Sequence, residues 1–259
     1  MTASIGEFLL DREQIDTAEQ KTFNGFNGLH GGLAVAMLVR QMRRLIPDGP
    51  ELVSVTARFL RPLDWPIVLE AGVVRNGKTV TSARATASSN SGTSVEAHAT
   101  FSGTPASNTP TFAPEMPTDL VNCSKVSVFA SPIEFVPIAQ RMEIRPATGA
   151  LPYSGSADPV LCGWVRLRDD VPTNDERIVI LVDSLAPSYT AVLTDFKAVP
   201  TVEMSTQLSA GAADSTFDWV LVRATTTSAD ERGFVRETTD IWTEGGRHLA
   251  SCTQLRMVR

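Results

Sequence analysis

Residues 31–39 read GGLAVAMLV, a stretch without a charged side chain. A helix that is apolar on every side cannot lie on a surface, so the rest of the chain has to enclose it. Amphipathic character begins only at Arg40, Gln41, Arg43 and Arg44, and Ile46-Pro47-Asp48-Gly49 should end the helix. Four runs with strand character follow, at residues 53–60, 67–76, 79–90 and 94–103. Asn76-Gly77 and Asn90-Ser91-Gly92 divide successive runs, and Asn and Gly accept the positive φ of tight hairpins. The pattern predicts a buried helix wrapped by its own antiparallel meander.

The second half of the chain repeats this order. An apolar run at 178–182 leads into Asp183-Ser184-Leu185-Ala186-Pro187, which reads as a helix start, and strand-like runs follow at 202–210, 219–229, 234–244 and 248–258. Asp183 stands 152 residues after Gly31, and Gln254 in ASCTQ stands 153 after Phe101 in AHATF. Near-equal offsets at the two ends are what a duplicated unit should show. Pairing two such units would also hide a sheet edge that each leaves open alone. Residues 102–118 are rich in Pro, Ser and Thr, the composition of a linker. The expected organisation is an N-terminal unit at 1–103, a linker at 104–125 and a C-terminal unit at 126–259.

Charge and cysteine usage exclude several classes of function. The net charge of −6 argues against a nucleic-acid partner, because phosphate neutralisation needs clustered Lys and Arg. Arg40, Arg43 and Arg44 form the densest basic spot and read as the solvated, dipole-stabilised end of a helix. Cys123, Cys162 and Cys252 are scattered and odd in number, so neither a disulfide framework nor a zinc site is expected. The first residues, MTASIGEFLLDREQ, lack the charged start and apolar run of a signal peptide, and no stretch approaches the ~18 apolar residues of a membrane span. A cytoplasmic protein without a membrane span, metal or cofactor is expected. P-loop, GxGxxG, GxSxG and HExxH patterns are absent from the sequence.

Several motifs together resemble the acyl-CoA thioesterase II-like family of double hot-dog proteins. They are HGGLAVAMLVRQM at 30–42, FLRPLD at 59–64 and RNGKTVTSARATASSNSGTSVEAHATF at 75–101 in the first half. The second half contributes WVRLRDD at 164–170, ILVDSLAP at 180–187, PTVEMS at 200–205 and ASCTQL at 250–255. The resemblance spans residues 23–258 apart from the linker. It implies an α+β fold, a double hot-dog of two tandem units, each with a central helix wrapped by an antiparallel sheet. It further implies hydrolysis of acyl-CoA by a water that an Asp, a Thr and a Gln of the second unit orient, here Asp183, Thr201 and Gln254. Departures from the family pattern lie in the neighbours Glu203, Met204 and Thr253.

The residue chemistry fits these roles. A carboxylate following Ile-Val-Ile-Leu-Val is partly desolvated and can serve as a base, although Asp is also a favoured helix cap. Thr201 offers a hydroxyl to the same water, or simply opens a strand after Pro200. Period-two alternation puts Gln254 on one face with Ala250, Cys252 and Val258, where an amide must find a partner. Gly31 and Gly32 after His30 would let a substrate approach the free N–H groups of a helix terminus, or only permit tight packing against the sheet. His30, Gly31 and Gly32 are the candidate substrate-binding residues. If Gly31 and Asp183 are equivalent, the carboxylate survives only in the second unit, which gives one site per chain.

Two other readings compete. A hydratase or dehydratase of this fold typically uses an Asp/His pair, and none of His30, His98 and His248 lies within a short helical step of Asp183. A non-catalytic acyl-CoA or lipid binder would keep the fold and lack turnover. A homodimer through sheet edges or back-to-back packing is a further expectation.

Overall fold

The computed structural model describes residues 3–11, 16–46, 50–103 and 111–259. The expected helix end at Pro47, Asp48 and Gly49 and the linker residues 104–110 lie outside the described residues. Helix α1 (Ile5–Asp11) and the single turn α2 (Thr17–Gln20) precede α3 (Gly31–Arg43), the buried helix. Strands β1 (Glu51–Phe59), β2 (Val68–Asn76), β3 (Val80–Ser89) and β4 (Gly92–Ser102) match the four runs of the first half to within two residues at each end. After an irregular stretch come β5 (Met142–Pro146), β6 (Val160–Leu167) and α4 (Asn174–Leu181). Strands β7 (Thr201–Leu208), β8 (Val220–Ala229), β9 (Phe234–Thr243) and β10 (His248–Met257) complete the chain.

Among the described residues ten strands form one antiparallel sheet in the order β2-β3-β4-β1-β7-β10-β9-β8-β6-β5. Outward from its centre, each half runs first strand, fourth, third, second, so the duplication is written in the topology. The seam is β1 on β7, with Val55 opposite Thr206 and the Thr56 and Ser205 hydroxyls 2.9 Å apart. Each unit thereby covers the edge the other would expose. Strands β5 and β6 extend the second half beyond the repeat.

Helix α3 is enclosed as its composition demands. Leu33, Leu38, Val39 and Met42 are fully buried, and burial of each such side chain contributes roughly 1.5–3 kcal/mol. The second helix departs from expectation. It starts at Asn174 and has ended when the chain reaches Asp183, whose N–H donates to the Ile180 carbonyl. Asp183 therefore stands at a helix exit, and the proposed equivalence of Gly31 with Asp183 fails. The true start carried its own signal: Thr173 caps α4 by accepting from the Glu176 N–H, a Thr-x-x-Glu spacing. The β-branched residues Ile178, Val179 and Ile180 disguised it, because tertiary burial overrides propensity here.

The two helices pack antiparallel. At one end Arg40 pairs with Glu176 at 3.0 Å and Arg43 with Asp175, so these arginines hold the acidic first turn of α4. They are not the solvated helix end expected from the sequence; only Arg44 is exposed. At the other end Gly31 and Gly32 meet the C-terminus of α4. A Cβ on Gly32 would lie 2.9 Å from the Val179 carbonyl oxygen and 3.1 Å from the Ile180 Cα. The glycines thus allow helix-to-helix contact, where packing against the sheet was the alternative considered.

Both faces of β6 and of the adjoining ends of β8 and β9 are covered. Val165, Val220, Val222 and Ile241 join the helix-side core, whereas Trp164, Leu221 and Trp242 face the other way into a second cluster with Cys123 and Cys162. Residues 114–123 cross that outer face: the indole N–H of Trp242 donates to Pro114 at 2.8 Å and that of Trp164 to Val121 at 2.9 Å. Gly32→Ala should overpack the helix contact and cost about 1–3 kcal/mol. A fall in Tm by about 2–4 °C per kcal/mol checks this. Gly72→Ala, whose added Cβ meets nothing within 4 Å, is the control; equal Tm values for the two variants would contradict the packing account.

Candidate active site

Asp183, Thr201 and Gln254 come from three elements and meet at the end of the helix pair. Asp183 follows α4, Thr201 opens β7, and Gln254 points inward from β10 among alternately buried residues. The Asp183 carboxylate, 11% exposed, accepts from two sides: the Gly32 N–H at 2.8 Å on Oδ2 and the Gln254 amide at 3.2 Å on Oδ1. The other end of the same amide accepts from the Thr201 hydroxyl at 2.9 Å. Hydroxyl, amide and carboxylate thus form one hydrogen-bonded chain.

Asp183 does cap a helix, though not its own. It accepts from the first turn of α3, where the orphan N–H groups and the positive end of the dipole favour an anion. This surrounding is polar, a correction to the apolar company read from the preceding run. Gly32's N–H is committed to Asp183 and so holds the carboxylate. His30 precedes α3 and ties the site from the other side. Its Nε2 donates to the Asp183 main-chain oxygen at 3.0 Å, while Nδ1 accepts from the Leu33 N–H at 3.3 Å, which fixes the Nε2–H tautomer.

His30 Nε2 also stands 3.7 Å from Asp183 Oδ2. An Asp/His pair therefore exists in space, although no histidine lies within a short helical step of Asp183 in the sequence. The histidine comes from the other unit's helix, which a search along one helix cannot find. Both ring nitrogens are engaged, however, so it offers no open base in this arrangement.

Sequence reasoning missed two charged residues at the site. Arg256, 7% exposed, lies on the buried face of β10, and its Nη1 donates to Thr201 Oγ1 at 2.8 Å. A bulge between Leu255 and Arg256 sets Arg256 opposite Thr201. Its Nε and Nη2 both reach Glu237 Oε1 of β9 at 2.8 Å, and Nη2 stands 3.7 Å from Asp183 Oδ1. Glu237 Oε2 accepts from the Ser188 hydroxyl at 2.7 Å and from the Ser188 N–H. The alternation that found Gln254 also passes through Arg256, and that was the available signal. Of the divergent neighbours, Glu203 turns out to a partly exposed pair with Arg58, Thr253 is exposed, and Met204 is buried in the core.

Cys252 shares the inward face but is no nucleophile: burial pushes its thiol up to about 12, and that of Cys162 up to about 11. Among the described residues no group of three or more His, Cys, Asp or Glu side chains could hold a metal ion. Two surface cavities of about 440 and 400 Å³ lie elsewhere, at the start of α4, lined by Arg166, Arg168, Asn174, Arg177 and Asp218 in one case and by Arg43, Pro172 and Asp175 in the other. They are polar clefts and contain none of the candidate catalytic or substrate-binding residues.

Family models match almost the whole chain. The acyl-CoA thioesterase N-terminal domain matches residues 20–102, and the acyl-CoA thioesterase C-terminal domain matches residues 110–258. The chain belongs to the acyl-CoA thioesterase family. Solved structures agree on its double hot-dog fold. A conserved hot-dog protein from Alicyclobacillus acidocaldarius superposes with a TM-score of 0.79 at 20% identity, covering 92% of this chain and 90% of its own. A putative thioesterase II from Thermobifida fusca gives 0.78 at 21% identity, covering 95% and 90%. An acyl-CoA thioesterase II from Mycobacterium marinum gives 0.73 at 19% identity, covering 98% and 97%. At these identities the likeness is one of fold. No curated protein matches the sequence. Among the described residues no helix is long and apolar enough to cross a membrane.

The thiols yield a direct check on the buried face of the site. At about pH 8 native Cys252 and Cys162 should resist iodoacetamide and react only after denaturation. Alkylation of Cys252 in the folded protein would contradict the burial described here.

Proposed function

We propose that the chain hydrolyses acyl-CoA thioesters to the free acid and CoA, at one site per chain built from Asp183, Thr201 and Gln254. Family membership supports thioesterase activity in general. The observation that supports this particular site is the continuous chain from Thr201 through Gln254 to Asp183, held where the ends of both helices meet. The Gln254 amide carries two N–H groups; one goes to Asp183, and the other holds the oxygen of the attacking water. That water donates one hydrogen to the Asp183 carboxylate, which takes the proton as the oxygen attacks the carbonyl carbon. The carbonyl oxygen becomes an oxyanion against the Gly31 N–H at the start of α3. Collapse of the tetrahedral adduct breaks the C–S bond, and the proton held by Asp183 passes to the departing thiolate of CoA.

His30 and Gly32 act on Asp183 in this scheme, fixing its backbone and its carboxylate. The substrate is acyl-CoA, and no metal or cofactor enters the reaction. The buried, unpaired Cys123, Cys162 and Cys252 suit a reducing compartment such as the cytoplasm.

Free-thiol release from acyl-CoAs of graded chain length tests the proposal. Wild type should release CoA, and Asp183→Asn should lower kcat by at least about 100-fold. Loss of the charge and of one of its two acceptors should lower Tm by about 2–12 °C, with the fold retained. Saturable binding without thiol release would favour a binder, water addition to an enoyl-CoA would favour a hydratase, and full activity of Asp183→Asn would discard the mechanism.

A further inference from the structure

We infer that Arg256 is a positioning residue that sets the hydrogen-bond direction of the whole site, with Glu237 as its counter-ion; the inference rests on the hydrolytic reading above. The argument is one of donors and acceptors. Arg256 can only donate, so Thr201 Oγ1 must accept from Nη1 at 2.8 Å. The Thr201 hydrogen is then directed to the other neighbour, Gln254 Oε1, at 2.9 Å. An amide that accepts at Oε1 presents its N–H groups on the opposite side, and Nε2 duly donates to Asp183 Oδ1 at 3.2 Å. Each bond forces the direction of the next. Asp183, which only accepts, favours the same direction from the other end, but without the arginine the Thr201 hydroxyl would be free to turn away and leave Gln254 Oε1 without its donor.

The guanidinium can hold this direction because it is itself fixed. Glu237, 1% exposed, takes both Nε and Nη2 at 2.8 Å, and its second oxygen is held by Ser188, five residues beyond Asp183. The Ser188 hydroxyl meets Thr226 at 2.8 Å on β8. The pair therefore ties β7, β8, β9 and β10 to the segment that carries Asp183. Planarity matters as well as charge: only a fork can grip Glu237 and Thr201 together, which an ammonium does less well.

Removal of Arg256 alone would leave Glu237 buried and uncompensated. The test therefore pairs Arg256→Met with Glu237→Gln, and adds Arg256→Lys as the conservative variant. With a CoA ester that wild type cleaves, the paired variant should lose about 10- to 100-fold in kcat with KM within about threefold, because the arginine acts through Thr201 on the reacting water. Arg256→Lys should recover part of that loss. Adding Thr201→Val to the paired variant should lower kcat by no more than about threefold further, since residues acting as a unit are not additive. The inference is overturned if the paired variant, folded by its Tm, keeps kcat within about twofold of wild type, or if the Thr201 and Arg256 losses multiply. It is equally overturned if the loss falls on KM alone. A wild type that cleaves no acyl-CoA at all would instead remove the hydrolytic reading itself, so the two failures are told apart.

Discussion

The contact on which the rest depends is the one between Asp183 and the first turn of α3. It joins the end of one unit's helix to the start of the other's, and it uses a charge that the helix terminus welcomes. Two glycines make it possible, since any side chain at Gly32 would press on the α4 backbone. At the far end of the same helix pair, Arg40 and Arg43 meet Glu176 and Asp175, so the antiparallel alignment is fixed at both ends by complementary charge. With the helices so fixed, β7 and β10 bring Thr201 and Gln254 to the carboxylate without further adjustment.

The duplicated architecture gains a site at the cost of its own symmetry. The strands of both halves keep the same order from the seam outward, but the helices differ in length, 13 residues in α3 against 8 in α4. In the sequence seven residues separate α3 from β1, whereas nineteen lead from α4 to β7. That segment gives Asp183, Ser188 and Thr201 separate positions around one point. A perfect repeat would have placed a helix where the carboxylate now stands.

Much of this was legible in the sequence, and what was hidden had physical reasons. The meander strands could be read because one face of each is wet, which leaves an alternating pattern and Asn-Gly turns such as Asn76-Gly77. Strand β6 is buried on both faces, under the helix side and under residues 114–123, so it carries no alternation and passed unread. Helix α4 was misplaced because Ile178, Val179 and Ile180 look like a strand, although Thr173 and Glu176 mark its start. Asp183, Thr201 and Gln254 followed from resemblance, and the structure brings all three together. Arg256 and Glu237 were missed because a buried ion pair is visible only once two strands are laid side by side. The approach of His30 to Asp183 was hidden likewise, since it crosses from one unit to the other.

The central claim is that thioester chemistry takes place at this helix junction. A crystal structure of Asp183→Asn with an uncleaved acyl-CoA tests it most directly. The account predicts one thioester per chain, its carbonyl carbon within about 3.5 Å of a water held by Gln254 and the residue at 183. A thioester seated instead in the cleft beside Arg166 and Arg177, or at the junction with no water in reach, would contradict it.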